Sequence, residues 1–133
     1  LCGLGIRHAM VVHGEDGFDE ISISAPTKVA EIKDGGIFEY TITPEQFGLP
    51  MAEKEEVVGG SPEENALITQ GILAGTIRDA KRNIVLLNAG CALYVVGQAG
   101  SIGDGVALAA EMIDSGAALA KLEELKQFTN ALA

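Results

Sequence analysis

The chain has 133 residues, 47% of them hydrophobic but only 5% aromatic, with no Trp and 17 Gly, so one globular domain with a core of Val, Ile, Leu and Ala is expected, in keeping with an α/β interior. Nineteen acidic against nine basic residues give a formal net charge of −10; no basic stripe offsets it, which disfavours nucleic acid and anionic membrane surfaces as partners. A phosphorylated metabolite is compatible with such a protein when a divalent cation bridges the like charges, which makes Mg2+ the ion to look for.

In chain order, His8 to His13 is a short apolar run ended by Gly14 and reads as a strand buried on both faces. Glu15 to Asp19 form a loop. Glu20 to Ser24 alternates Ile21 and Ile23 with polar neighbours, the period of a half-exposed strand, and Pro26 stops it. Val29 to Lys33 and Ile37 to Ile42 flank Asp34-Gly35 and read as an antiparallel β-hairpin. Thr43 to Gly59, with Pro44, Pro50 and a run of acids, is an irregular connection.

Four helices follow. Ser61-Pro62-Glu63-Glu64 supplies a capping box with Pro at the first helical position, and the helix runs to about Ala74, where Gly75 can end it. Asp79 caps the next, through the apolar stretch to Val96; apolar character all round implies cover on nearly every side. Ser101 with Asp104, and Ser115 ahead of Ala117 to Phe128, are expected to cap the last two. Neither an internal repeat nor a flexible linker interrupts the chain.

Cys2 and Cys91 are far apart and flanked by small or apolar residues, as expected of reduced, packed thiols and a cytoplasmic protein. Ile84 to Val96 is the most apolar stretch, but it is short and contains Asn88 and Gly90, so no bilayer span is expected. No basic region precedes an apolar run near Leu1, so no secretory leader is expected either.

The segment Val11-Val12-His13-Gly14-Glu15-Asp16-Gly17-Phe18-Asp19-Glu20 resembles the V-V-H-G-x-D-G-(L/F)-D-E stretch of the anthranilate phosphoribosyltransferase family. In order behind it, Pro44 to Leu49 is similar to the family's P-E-D-F-G-L, and Gly59-Gly60 with Asn65-Ala66 to its G-G and N-A. Leu86 to Ala89 with Ala92 to Tyr94 resembles L-N-A-A-A-A-L-Y, and Glu111 with Ile113 to Ala118 its closing A-E-x-I-D-S-G-x-A. The resemblance covers about Leu4 to Phe128.

It implies the C-terminal portion of a large α/β domain: part of a mostly parallel mixed sheet with an antiparallel hairpin, followed by four helices. The implied activity is transfer of phosphoribosyl from phosphoribosyl pyrophosphate to anthranilate, in tryptophan biosynthesis. Asp19 and Glu20 match the family's acidic pair, which holds Mg2+ on the donor's pyrophosphate. The family's G-T-G-G-D loop, its K-H-G-N segment and its helical domain, through which it usually dimerises, should lie ahead of Leu4 and are not in this sequence, so the chain alone is expected to be inactive. A noncatalytic folded fragment or interaction module, and a nucleoside phosphorylase of related fold, are the alternative readings.

The residue chemistry is consistent with an electrostatic role. Mg2+ takes one or two carboxylates and leaves its other positions to water and phosphate oxygens. Neighbouring side chains in a strand point to opposite faces, so for both acids to reach metal the backbone must turn, which Gly17 permits, or two ions must be held. Adjacent acids also occur at Glu15-Asp16, Glu55-Glu56, Glu63-Glu64 and Glu123-Glu124; the resemblance alone singles out Asp19 and Glu20. Asp16 reads as a turn residue or a supporting group. His13 is a candidate substrate contact, weighed against a hydrogen-bonded strand-end histidine, and His8 reads as structural. No side chain is expected to act as nucleophile or general acid. Gly59 and Gly60 precede a helix N-terminus that Ser61 and Glu64 already cap, which leaves little for an anion to bind.

Overall fold

Three strands, β1 (His8–Gly14), β2 (Thr27–Lys33) and β3 (Gly36–Ile42), and four helices, α1 (Pro62–Leu73), α2 (Ala80–Val95), α3 (Ile102–Asp114) and α4 (Ala117–Asn130), follow one another in the computed structural model. It describes residues 2–132, except for the side chain of Cys2, so the expectation of a packed thiol there lies outside the described residues. The sheet order is β1-β2-β3, and every strand pair among the described residues is antiparallel. The hairpin is as expected: Asp34 (φ 51) and Gly35 (φ 78) both take positive φ, the mirror-image turn whose twist matches that of the flanking strands.

Two strand expectations need correction. β1 is not buried on both faces, because the helices cover only one side of the sheet: Met10 and Val12 pack against the core, while Val11 on the other side is 53% exposed. Glu20 to Ser24 is not a strand at all. Its alternation is real, since Ile21 and Ile23 are buried, but its backbone is satisfied by side chains and loop amides rather than by a neighbouring strand.

The helix starts follow the sequence closely. Ser61 accepts from the Glu64 amide while the Glu64 carboxylate accepts from the Ser61 amide. Asp79 and Ser101 accept from the amides of Lys81 and Asp104. α1 ends at Gly75, which has φ 72. Ser115, in contrast, does not cap α4. The turn after α3 is so tight that Gly116 (φ 79) ends one helix and starts the next, leaving the Ser115 hydroxyl to donate back to the Met112 carbonyl.

α2 and α3 form the closest helix pair, and glycine is the reason. A Cβ on Gly105 would lie 2.2 Å from the Gly90 carbonyl oxygen, and one on Gly90 2.6 Å from the Val106 nitrogen, so the two backbones touch where no side chain fits. Leu86, Leu87 and Cys91 of α2 join Ile21, Ile23, Val29 and Ile42 in one core. Cover is not complete: Val85 is 37% and Val96 67% exposed, so the apolar helix keeps one open side. Among the described residues no helix is long and apolar enough to cross a membrane.

A polar cluster crosses this core. Glu31 of β2 is buried and accepts from Tyr40 of β3 and Tyr94 of α2, each at 2.8 Å, with His8 Nε2 of β1 at 2.8 Å. Lys33 donates to the Tyr94 hydroxyl at 2.9 Å. Burial alone would raise the Glu31 carboxyl. The hydrogen bonds from Tyr94, Tyr40 and His8, with the His8 charge, outweigh it and hold the group below its ordinary 4.5. Burial and the Glu31 charge push the Cys91 thiol up to about 12, which keeps it protonated and inert, as expected of a packed thiol.

Because its folded pKa is depressed, Glu31 contributes stability in full above its ordinary pKa and loses it as pH falls through the lowered folded value. Glu31→Ala, which strands three donors, should cost about 3 kcal/mol at pH 7. In urea denaturation, the stability gap between wild type and the variant should shrink once pH drops below 4.5; a gap constant from pH 7 to pH 3 would contradict the assignment.

Candidate functional site

β1 and β2 are adjacent antiparallel strands, and the acidic pair lies in the long loop that joins them. The ladder closes with Gly14 opposite Thr27, and the Glu15 amide extends it by donating to the Pro26 carbonyl at 2.9 Å. Above that base the chain turns at once. The Gly17 amide donates to the Gly14 carbonyl at 2.9 Å and the Gly14 amide to the Phe18 carbonyl at 3.0 Å. Gly17 has φ 92, a conformation that disfavours any side chain.

Asp16 organises the interior of the loop. Its Oδ2 accepts from the hydroxyls of Ser22 and Ser24, and its Oδ1 from the Phe18 amide at 3.3 Å. Burial raises its pKa, but the hydrogen bonds from Ser22, Ser24 and Phe18 together lower it more, so it sits below its ordinary 3.8. Its charge is therefore spent inside the loop, and it is more than a simple turn residue.

External contacts then pin the loop to the body. Asn88 of α2 brackets the backbone of Ile21, the Ala52 amide donates to the Ile23 carbonyl at 3.0 Å, and Lys54 donates to the Asp16 carbonyl at 2.8 Å. The Lys54 ammonium also lies 4.7 Å from the centre of the Phe18 ring, within range of a cation–π attraction. The Ser22 amide donates to Thr27 Oγ1 at 2.9 Å. In the sequence, the polar Asn88 within the apolar stretch Ile84 to Val96 is the signal for this anchoring.

On this platform Asp19 and Glu20 are both exposed, and the backbone bends at both. A bend at these two positions is one of the two arrangements that would let neighbouring acids serve metal, the other being two bound ions. The surroundings of the Glu20 carboxyl withhold enough water to push its pKa up, and the adjacent Asp19 charge adds to the shift. Among the described residues no three His, Cys, Asp or Glu side chains cluster as a metal site. Asp19 and Glu20 offer two hard carboxylates on an open surface, a pair unsuited to a closed zinc site and compatible with Mg2+, an ion that leaves its other positions to water and phosphate oxygens.

His13 is exposed and lines a shallow groove on the open face of the sheet with Val11, Lys28, Ala30 and Thr41; the structure does not gather it with the acidic pair. His8 is structural, as expected, through Glu31. The glycines before α1 are also structural: the Asn65 side chain accepts from the Gly60 amide and donates to its carbonyl.

Residues 1–119 match the model of the glycosyl transferase family, a/b domain. The chain belongs to that family. Within it, the chain is 50% identical over 131 residues to an anthranilate phosphoribosyltransferase of Methanobrevibacter smithii, which takes in 98% of this chain and 39% of that relative. A second relative of the same name, from Desulfosudis oleivorans, is 50% identical over 128 residues, 96% of this chain and 38% of its own. The crystal structure of anthranilate phosphoribosyltransferase from Thermus thermophilus superposes with a TM-score of 0.80 at 39% identity, covering 88% of this chain and 34% of that one. The Saccharomyces cerevisiae enzyme in complex with PRPP and Mg does so with a TM-score of 0.79 at 27% identity, covering 87% and 33%. The chain thus spans under two fifths of the length of these relatives, and its a/b fold is theirs.

Gly14 is the tightest point of this family member's loop. A Cβ there would lie 2.6 Å from Asp16 Oδ1 and 3.0 Å from the Ser22 Cβ. Gly14→Ala should cost about 1–3 kcal/mol in chemical denaturation, and a cost near zero would contradict so close an approach of Asp16 and Ser22 to Gly14.

Proposed function

We propose that this chain is the C-terminal α/β portion of an anthranilate phosphoribosyltransferase, in which Asp19 and Glu20 hold Mg2+ on the pyrophosphate of phosphoribosyl pyrophosphate. The observation that carries the reading is an exposed carboxylate pair on a loop fastened at its base, its interior and its flank. Support comes from the M. smithii relative, identical at half its aligned positions, and from the yeast structure whose ligands are PRPP and Mg. In this reading the helical domain, the glycine-rich pyrophosphate loop and the dimer contact belong to the remainder of such an enzyme, which works in the cytoplasm.

Departure of pyrophosphate from the sugar carbon builds negative charge on the leaving group. Bound magnesium supplies neutralisation there, on the order of 4 kcal/mol per unit charge pair at ~4 Å and intermediate dielectric. The chain's own residues bind and orient. Asp19 and Glu20 present carboxylate oxygens; Asp16, Ser22, Ser24 and Asn88 keep the loop from reorganising as the charge moves, the condition under which electrostatic stabilisation is effective. None of them exchanges a proton or forms a bond with the sugar. His13, on the sheet's open face, is assigned no part.

Phosphoribosyl transfer to anthranilate should be absent from residues 1–133 alone and appear, with dependence on Mg2+, in the polypeptide completed by its N-terminal part. Completed protein without turnover would overturn the reading. Glu20→Gln in the completed protein should raise the Mg2+ concentration needed for half-maximal rate by more than the roughly tenfold typical of losing an outer-shell partner, with the KM for anthranilate little changed.

A further inference from the structure

We propose that Asn88 is a positioning residue for the acidic pair, setting the orientation of the Glu20 backbone from a helix well removed in sequence; the inference rests on the reading of Asp19 and Glu20 as a magnesium anchor. The Asn88 side-chain amide treats Ile21 as a strand partner would. Its Oδ1 accepts from the Ile21 amide at 3.0 Å, and its Nδ2 donates to the Ile21 carbonyl at 2.8 Å. The second Nδ2 hydrogen goes to the Ile84 carbonyl, one turn back in α2, at 3.0 Å. Both donors are thus used, and the orientation of the amide follows from its partners, because only the oxygen can accept from an N–H and only the nitrogen can donate to two carbonyls.

The geometric consequence falls on Glu20. The Ile21 N–H lies in the peptide plane that joins Glu20 to Ile21, so fixing that N–H fixes how the plane is rotated about the Glu20 Cα. The Ile21 carbonyl belongs to the next plane, and with both planes held Ile21 has little freedom. Its side chain, 3% exposed, closes the core beneath. α2 is a firm origin for this hold: Leu87 is fully buried, Gly90 touches α3, and Arg82 pairs with Asp114 at 3.1 Å. A carboxylate that must meet a metal and a diphosphate together gains from a backbone already in place, since any adjustment would be made at the expense of binding.

A residue that only satisfied the buried backbone would lower stability when removed and leave the metal requirement alone, so the two roles separate. In the completed enzyme, Asn88→Ala should raise the Mg2+ requirement and the KM for the phosphoribosyl donor by about tenfold, with the KM for anthranilate within about twofold. Asn88→Asp keeps the acceptor for the Ile21 amide but turns a carboxylate oxygen toward both carbonyls in place of a donor, and should show a shift of the same kind. Glu20→Gln run in parallel separates the two ideas. If it shifts the Mg2+ requirement while both Asn88 variants keep the wild-type value, this inference fails and the magnesium reading stands; if it too leaves the requirement unchanged, both fall. Amide exchange gives a readout free of activity and of metal. In the unaltered protein the Ile21 amide should exchange at least about a hundredfold slower than those of Asp19 and Glu20, and Asn88→Ala should abolish most of that protection. Fast exchange at Ile21 in the unaltered protein overturns the proposal even if neither variant folds.

Discussion

The loop between β1 and β2 places Ile21 and Ile23 in the core, at 3% and 0% exposure, while its backbone belongs to no strand, and this conflict governs the local design. Burying two such side chains stabilises the fold by roughly 1.5–3 kcal/mol each. An unsatisfied buried amide or carbonyl costs about 1–3 kcal/mol, so a few orphaned groups would cancel the gain. Each critical group has a partner from elsewhere: Ile21 from Asn88, the Ser22 amide from Thr27, the Ile23 carbonyl from Ala52. The loop acquires the fixity of a strand without the flatness, and its two acids can sit at a bend.

The same economy shapes the electrostatics. Asp16 directs its charge into the loop, toward Ser22, Ser24 and the Phe18 amide. Of the cations that touch the loop, Lys54 is committed to the Asp16 carbonyl and the Phe18 ring, and Lys28 pairs with Glu15 at 3.6 Å. Among the described residues none of the ion pairs includes Asp19 or Glu20. Two carboxyl groups are thus left adjacent with no protein cation between them, and the Glu20 pKa is raised, first by the water its surroundings withhold and then by the neighbouring Asp19 charge. A divalent cation relieves the repulsion between them directly, whereas a neutral partner would leave it in place.

How much of this was legible depends on how local each determinant is. The Asp34-Gly35 turn and the capping residues Ser61, Asp79 and Ser101 act within a few positions of themselves, and the sequence placed each correctly. Glu20 to Ser24 was misread because alternation reports which side chains face inward, not what the backbone bonds to, and the partner of Ile21 is 67 positions away. Ser115 was misread because a capping residue and a helix end compete for the same position when the turn is short, and Gly116 decided it. β1 looked doubly buried because its apolar run matches an inner strand, whereas Val11 faces a side of the sheet that no described element covers. The acidic pair itself was picked out by resemblance. Its local pattern recurs at four other places in the chain and carries no geometry of its own.

α2 connects the two polar arrangements that hold the molecule together. Arg82, Asn88 and Tyr94 recur every six residues, and at ~100° per residue that spacing turns each one by about 240° from the last, so the three point in three directions evenly spread around the helix. Each meets a different part of the fold: Arg82 meets Asp114 at the end of α3, Asn88 meets the loop between β1 and β2, and Tyr94 meets Glu31 in the middle of the sheet. An apolar helix held only by its hydrophobic surface could rotate or slide at modest cost, because such contacts are non-directional. Three hydrogen-bonding side chains on three sides remove that freedom. The loop that carries Asp19 and Glu20 is therefore referenced, through Asn88, to the same helix that fixes the sheet through Tyr94, and the acidic pair inherits its position from the core.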